Sequence, residues 1–178
     1  MSATVVFADN CLLINLAHVG RLGLFSTLLG PKMQWTQQVE YETARSVAAV
    51  PALGDVYSFM PSPLVPDPRE RQDTFAIRTQ FAKPGESDPR LHLGEAETCA
   101  VIHQRYTNSE KIFFATEDNS AAAYANREGW RVLSTKVFLQ IAARGQHLTV
   151  AEANADLRSL YVMPRGVRGY PPEIPPRP

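Results

Sequence analysis

At 178 residues the chain has room for one domain with a sizeable core, and its 44% hydrophobic and 20% charged content is ordinary for a globular protein. Its 18 basic side chains balance 18 acidic ones, which excludes a strongly basic nucleic-acid binder; a nucleic-acid partner would need a local patch or a metal. Two cysteines, Cys11 and Cys99, exclude a disulfide framework or a cysteine-built zinc site, and no apolar run reaches the ~18 residues needed to span a bilayer.

Thr4–Ala8 is a nearly continuous apolar run, which suits a strand buried on both faces. No basic stretch and apolar core with a small-residue cleavage site opens the chain, so no signal peptide and a cytoplasmic location are expected. Apolar residues at helical spacing run from Cys11 to Leu29. Gly20–Arg21–Leu22–Gly23 should split them into two helices, and Gly30–Pro31 should end the second. Both cysteines fall in such helices among apolar neighbours and read as buried thiols. Gln34–Trp35 reads as a second strand. Thr36 can cap a helix whose face carries Val39, Thr43, Ser46 and Val50 before Pro51 stops it. Val56–Met60 reads as a third strand, the prolines from Pro61 to Pro68 as a loop, and Arg69–Ala82 as a helix. Gly94–Tyr106 is predicted helical, Ile112–Thr116 a strand, Asp118–Glu128 a helix closed by Gly129, and Arg131–Leu133 a returning strand. That strand–helix–strand order predicts an α/β fold with a parallel sheet. Thr135–Ala143 and Val150–Tyr161 complete the helices, and Thr149 with Glu152 makes a capping box. Residues 1–162 are expected to form one domain, with 163–178 a proline-rich extended tail.

Four acidic clusters stand where strands hand over to helices: Asp9, Glu40 with Glu42, Glu95 with Glu97, and Glu117 with Asp118. At the carboxyl ends of parallel strands such groups can converge into a hard-oxygen pocket for Mg²⁺ or Mn²⁺. Packed together without a cation they would repel one another. Asp9 can cap the following helix, point into the crevice between strands, or do both. Helical phase alone does not choose between Glu40 and Glu42, but the three-residue step from Val39 favours Glu42. At ~100° per residue, Glu95 and Glu97 lie ~200° apart and cannot both face inward. Glu95 shares the stripe of Cys99, Ile102 and Tyr106. Glu97 falls on the polar side near Gln104, and with Gly94 as the cap it can reach back to the helix start. Asp118 can cap the helix beginning at Asn119 or bind a cation, and Thr116 and Asn119 can position a water. Glu117 is held in reserve.

The remaining chemistry is thinner. His18, His92, His103 and His147 have no metal-ligand spacing and read as structural or surface residues. No nucleophile elbow, phosphate loop or dinucleotide fingerprint occurs. Arg158, Arg165, Arg168 and Arg177 gather near the C-terminus, where phosphate contact is possible and plain solvation commoner.

Together these residues resemble the PIN-domain family. FADNCLLINLAHVGRLGLF is similar to its first aspartate and apolar helix, and TQQVEYET to its second acidic position, at Glu42. LGEAETCAVIHQ resembles the Gly-Glu-Ala-Glu helix of one branch, and IFFATEDNSAAAYANREGWRVLST its strand, acidic turn, helix and returning strand. The match runs from Thr4 to Ala143, with the proline-rich loop unmatched. The resemblance implies a three-layer α/β/α sandwich with a central parallel sheet. It also implies an endoribonuclease dependent on Mg²⁺ or Mn²⁺, with Asp9, Glu42, Glu95 and Asp118 catalytic and Glu97 an additional metal ligand. VapC-like toxins of this kind act on RNA, pair with a small antitoxin protein and commonly form homodimers. Cys11 stands where that family often has a hydroxyl, and glutamate replaces its commoner third aspartate. The alternative is a PIN-like module that binds RNA or protein without cutting.

Overall fold

The computed structural model describes residues 4–106 and 111–163. Most of the expected proline-rich tail, 164–178, lies outside the described residues.

Strand β1 (Thr4–Ala8) leads into helices α1 (Asn10–His18) and α2 (Leu22–Leu29), divided as expected at Gly20, whose φ is +66°. Strand β2 (Met33–Gln34) precedes α3 (Gln37–Val47), and α4 (Pro68–Phe81) and α5 (Leu93–Arg105) follow. Strand β3 (Lys111–Ala115), helix α6 (Asn119–Arg127) and strand β4 (Arg131–Val132) form the expected strand–helix–strand unit, and α7 (Thr135–Arg144) and α8 (Val150–Tyr161) close the described fold. The strands are all parallel in the order β2-β1-β3-β4, with Ala8 opposite Ala115 and Val6 opposite Met33. The chain therefore reverses its direction of travel across the sheet between β1 and β3, and their carboxyl ends frame a crevice.

Both faces of the sheet are covered. Val6 and Ala8 pack with residues of α1, α2, α3, α7 and α8, including Leu12, Phe25, Val39, Phe138 and Leu157. Phe7 and Phe114 pack on the other side with α4, α5 and α6, through Ile77, Phe81, Ile102, Ala121 and Tyr124. The result is the three-layer α/β/α sandwich, and it explains the unbroken apolar run of β1: alternate residues meet different helical layers.

Among the elements, sequence and structure part most plainly at three points. Val56–Met60 is not a strand; Pro51–Ser58 is a 3₁₀ helix. Leu53 and Val56, three residues apart, are its buried positions, which is the repeat of a 3₁₀ turn. The second strand sits one residue earlier than Gln34–Trp35. Trp35 is drawn into the core, its indole N–H donating to the Pro61 carbonyl at 2.7 Å, while its own carbonyl accepts from Leu64. Finally, α5 is capped by His92 rather than Gly94.

Two helices are closed at their starts by capping boxes. Thr149 and Glu152 form the expected capping box, and Asp67 with Glu70 forms a second one on α4. Fully buried Glu70 also takes both branches of the Arg105 guanidinium at 2.6 Å, fastening α4 to α5.

Candidate metal centre

The pairing of Ala8 with Ala115 sets Asp9 beside Thr116 at the carboxyl ends of β1 and β3, and the Asp9 amide donates to the Ala115 carbonyl at 3.0 Å. Asp9 occupies the cap position of α1, yet its side chain makes no capping bond and turns into the crevice. There it is 1% exposed. The Thr116 hydroxyl donates to Oδ2 at 3.2 Å, and Thr116 Oγ1 accepts from the Asp118 amide at 3.1 Å. Buried Oδ1 has no hydrogen-bond partner among the described residues.

Glu42, Glu95 and Asp118 close around this aspartate. Asn10, the first residue of α1, accepts from the Thr43 hydroxyl and donates to Ser46 Oγ, which locks α3 against α1 and turns Glu42 toward the crevice. Glu42 accepts from the Gln38 side chain at 3.0 Å, and its carboxylate lies close against Gly94. Glu95, 8% exposed, rises from the first turn of α5. Asp118 uses Oδ1 to cap α6, accepting from the Ala121 amide at 2.7 Å, so both roles open to it in sequence are compatible.

The charges feel one another. Burial, then the neighbouring Glu42 charge, pushes the Asp9 pKa up to about 7, against the opposing Thr116 hydrogen bond. Burial followed by the charge of Asp9 raises Glu95 well above the usual carboxylate range. Burial also raises Glu42, although the Gln38 and Gly94 hydrogen bonds resist it. A buried group of carboxylates that are costly to ionise, with one oxygen lacking a donor, is the chemistry a divalent cation would satisfy. Oxygen atoms of Asp9 and Glu95 lie within 4.8 Å of each other and of Cys11 Sγ, and one ligand atom each from His92, Glu95 and Asp118 lies within the same distance.

The other acids have different work. Glu97 is buried, not on a polar face, and its Oε1 accepts the Gln38 amide at 2.7 Å at the start of α3. Glu40 accepts from the Tyr57 hydroxyl at 3.4 Å, away from the crevice. Glu117 accepts the Thr135 amide at the start of α7. Asn119 is exposed, whereas Thr116 contacts Asp9 directly. Cys99 is buried as expected, but Cys11 is only half-buried and stands at the acids.

His92, read from the sequence as a structural or surface residue, stands beside the acids. Its Nδ1 lies 3.5 Å from Asp118 Oδ2 and its Nε2 lies 3.3 Å from Glu86 Oε2. A cleft of about 370 Å³ opens from the acids past His92, between Arg45 and Arg90, with Tyr41 on its wall. The Arg45 guanidinium lies 5.7 Å from the centre of the Tyr41 ring, which is 53% exposed. Among the described residues no helix is long and apolar enough to cross a membrane. No family model, no curated protein and no solved structure matches this chain.

Proposed function

We propose that the protein is a divalent-metal-dependent endoribonuclease whose centre is held by Asp9, Glu42, Glu95 and Asp118. The observation that carries this reading is the buried Asp9 Oδ1, which has no donor among the described residues and faces a crevice shared with three further carboxylates. When bound, Mg²⁺ or Mn²⁺ would supply Lewis-acid stabilisation to a phosphoryl group under attack by water. Thr116 fixes the orientation of Asp9, and Gln38 that of Glu42.

The adjoining cleft supports a polyanionic, single-stranded substrate. Arg45 brings positive charge to the approach of an otherwise acidic site, Arg90 being paired with Asp88 on the same wall, and the exposed Tyr41 ring offers a face for a base to stack on. The resemblance to PIN domains agrees with RNA as that substrate. Through the same resemblance the reading extends to a toxin that forms a homodimer and is restrained by a small antitoxin protein.

Incubation of the full chain with labelled single-stranded RNA tests the proposal. Cleavage should need Mg²⁺ or Mn²⁺, stop on chelation, and fall about 10²–10³-fold in Asp9→Asn and Asp118→Asn, the usual cost of removing one group that stabilises developing charge. RNA binding without metal-dependent cutting would instead establish the non-catalytic module. Growth arrest on expression, relieved by the product of a short neighbouring reading frame, would test the toxin role.

A further inference from the structure

We infer that His92 is a nitrogen ligand of the metal centre, held by Glu86, and that it biases the site toward Mn²⁺ over Mg²⁺. The inference rests on the metal-dependent reading above and adds to it a residue outside the acidic set.

The first ground is the ring's position. His92 stands between two carboxylates, with Nε2 3.3 Å from Glu86 Oε2 and Nδ1 3.5 Å from Asp118 Oδ2. With Nε2 turned to Glu86, Nδ1 faces an oxygen of Asp118 across a gap that a single cation can bridge. Two adjacent ligands on a divalent ion, with bonds of about 2.1–2.3 Å, are separated by about 3 Å, close to the observed spacing.

The second ground is the support behind the ring. Metal-bound histidines generally donate their second N–H to a carboxylate, which fixes the tautomer and turns the ring. Glu86 is placed for that task and is itself held, its Oε2 accepting the Lys83 amide at 2.9 Å. The Phe81 ring packs edge-on to the imidazole at 6.3 Å between centroids, which limits its rotation.

The third ground is the backbone. His92 has φ +61°, a left-handed conformation uncommon for a residue with a side chain. From this position His92, Glu95 and Asp118 each bring a ligand atom within 4.8 Å of the others. Glu95 belongs to both groups of ligand atoms, with Asp9 and Cys11 on one side and with His92 and Asp118 on the other, so it links the histidine's group to the aspartate's. Imidazole nitrogen binds Mn²⁺ and later transition metals better than it binds Mg²⁺, which takes oxygen almost exclusively.

The test uses the full chain stripped of metal and loaded with Mn²⁺ alone, without RNA. Pulsed electron paramagnetic resonance should show the paired nitrogen couplings of a directly bound imidazole. They should vanish in His92→Asn, chosen because asparagine tolerates a left-handed backbone. Calorimetric titration should show Mn²⁺ affinity falling about 10–100-fold in His92→Asn and in Glu86→Ala, with a much smaller change for Mg²⁺. Bound Mn²⁺ without imidazole coupling in the unaltered protein would overturn this inference and leave the metal-dependent reading standing; His92 would then be an ion-pair partner of Asp118. Equal losses for both metals would overturn the selectivity. Failure to bind Mn²⁺ at all would overturn both the inference and the reading beneath it.

Discussion

Glu42 and Gly94 are in close contact: a Cβ placed on Gly94 would lie 2.9 Å from Glu42 Oε2. The glycine is required by this close approach and not by its backbone angles. Gly94→Ala should therefore favour α5 by up to ~1 kcal/mol through helix propensity while pushing the end of Glu42 aside. The expected outcome is a melting temperature within a few degrees of the parent and weaker Mn²⁺ binding, read by thermal denaturation and titration calorimetry. Unchanged metal affinity would remove Glu42 from the site.

The buried aspartate gives the metal-free protein an unusual pH response. Its pKa rises from an ordinary 3.8 to about 7 on folding, so between those values the native state holds a proton that the unfolded chain has released. Stability then falls as pH rises from about 4 to about 7, by up to a few kcal/mol. Glu95, raised in the same direction, adds to the trend. Chelated protein should melt higher near pH 5 than near pH 8, and Asp9→Asn should flatten that slope. Mn²⁺ should restore the lost stability most at the alkaline end, where it competes with fewer protons.

Glu70 and Arg105 should respond unequally to mutation. The carboxylate is 1% exposed and the guanidinium 35%. Arg105→Met strands a buried charge and should cost about 3–5 kcal/mol. Glu70→Gln leaves an arginine that can still reach water and should cost about 1–3 kcal/mol. Urea denaturation of the two variants measures the difference, and a reversed order would contradict it.

Substrate contacts can be separated by salt. Tyr41→Ala should weaken single-stranded RNA binding by about 1–3 kcal/mol at every salt concentration, as loss of a stacking face does. Arg45→Ala should instead reduce the slope of log affinity against log salt by about one phosphate contact. Fluorescence anisotropy across a salt series distinguishes them, and identical salt slopes would deny Arg45 a phosphate.

Much of the centre is legible in sequence because it lies at strand ends. The runs before Asp9 and Glu117 are dense enough in apolar residues to be buried on both faces, and parallel pairing then decides where they finish. Glu42, preferred over Glu40 for its three-residue step from buried Val39, does line the cleft, while Glu40 turns to Tyr57. Glu97 is misplaced for an equally physical reason. The phase of one helix says which residues share a face, not whether a second layer covers the opposite one; α3 and α4 cover it, and Gly94–Ile102 is buried all round. His92 carries no signal because its place depends on a left-handed backbone and on Glu86, six residues earlier. The Val56–Met60 run fails since a few apolar residues fit either a strand or a 3₁₀ turn.

The Thr116 hydroxyl meets Asp9 across 107 positions of chain. One half of the pocket is thus synthesised long before the other, and the two come together only when β3 docks on β1. Until then the emerging polypeptide is acidic in patches but has nowhere to hold an ion. On the proposed metal-dependent reading, cation uptake becomes a gauge of completed topology: a chain truncated before β3, or one in which β3 pairs elsewhere, should bind no ion at this site however much helix it has formed.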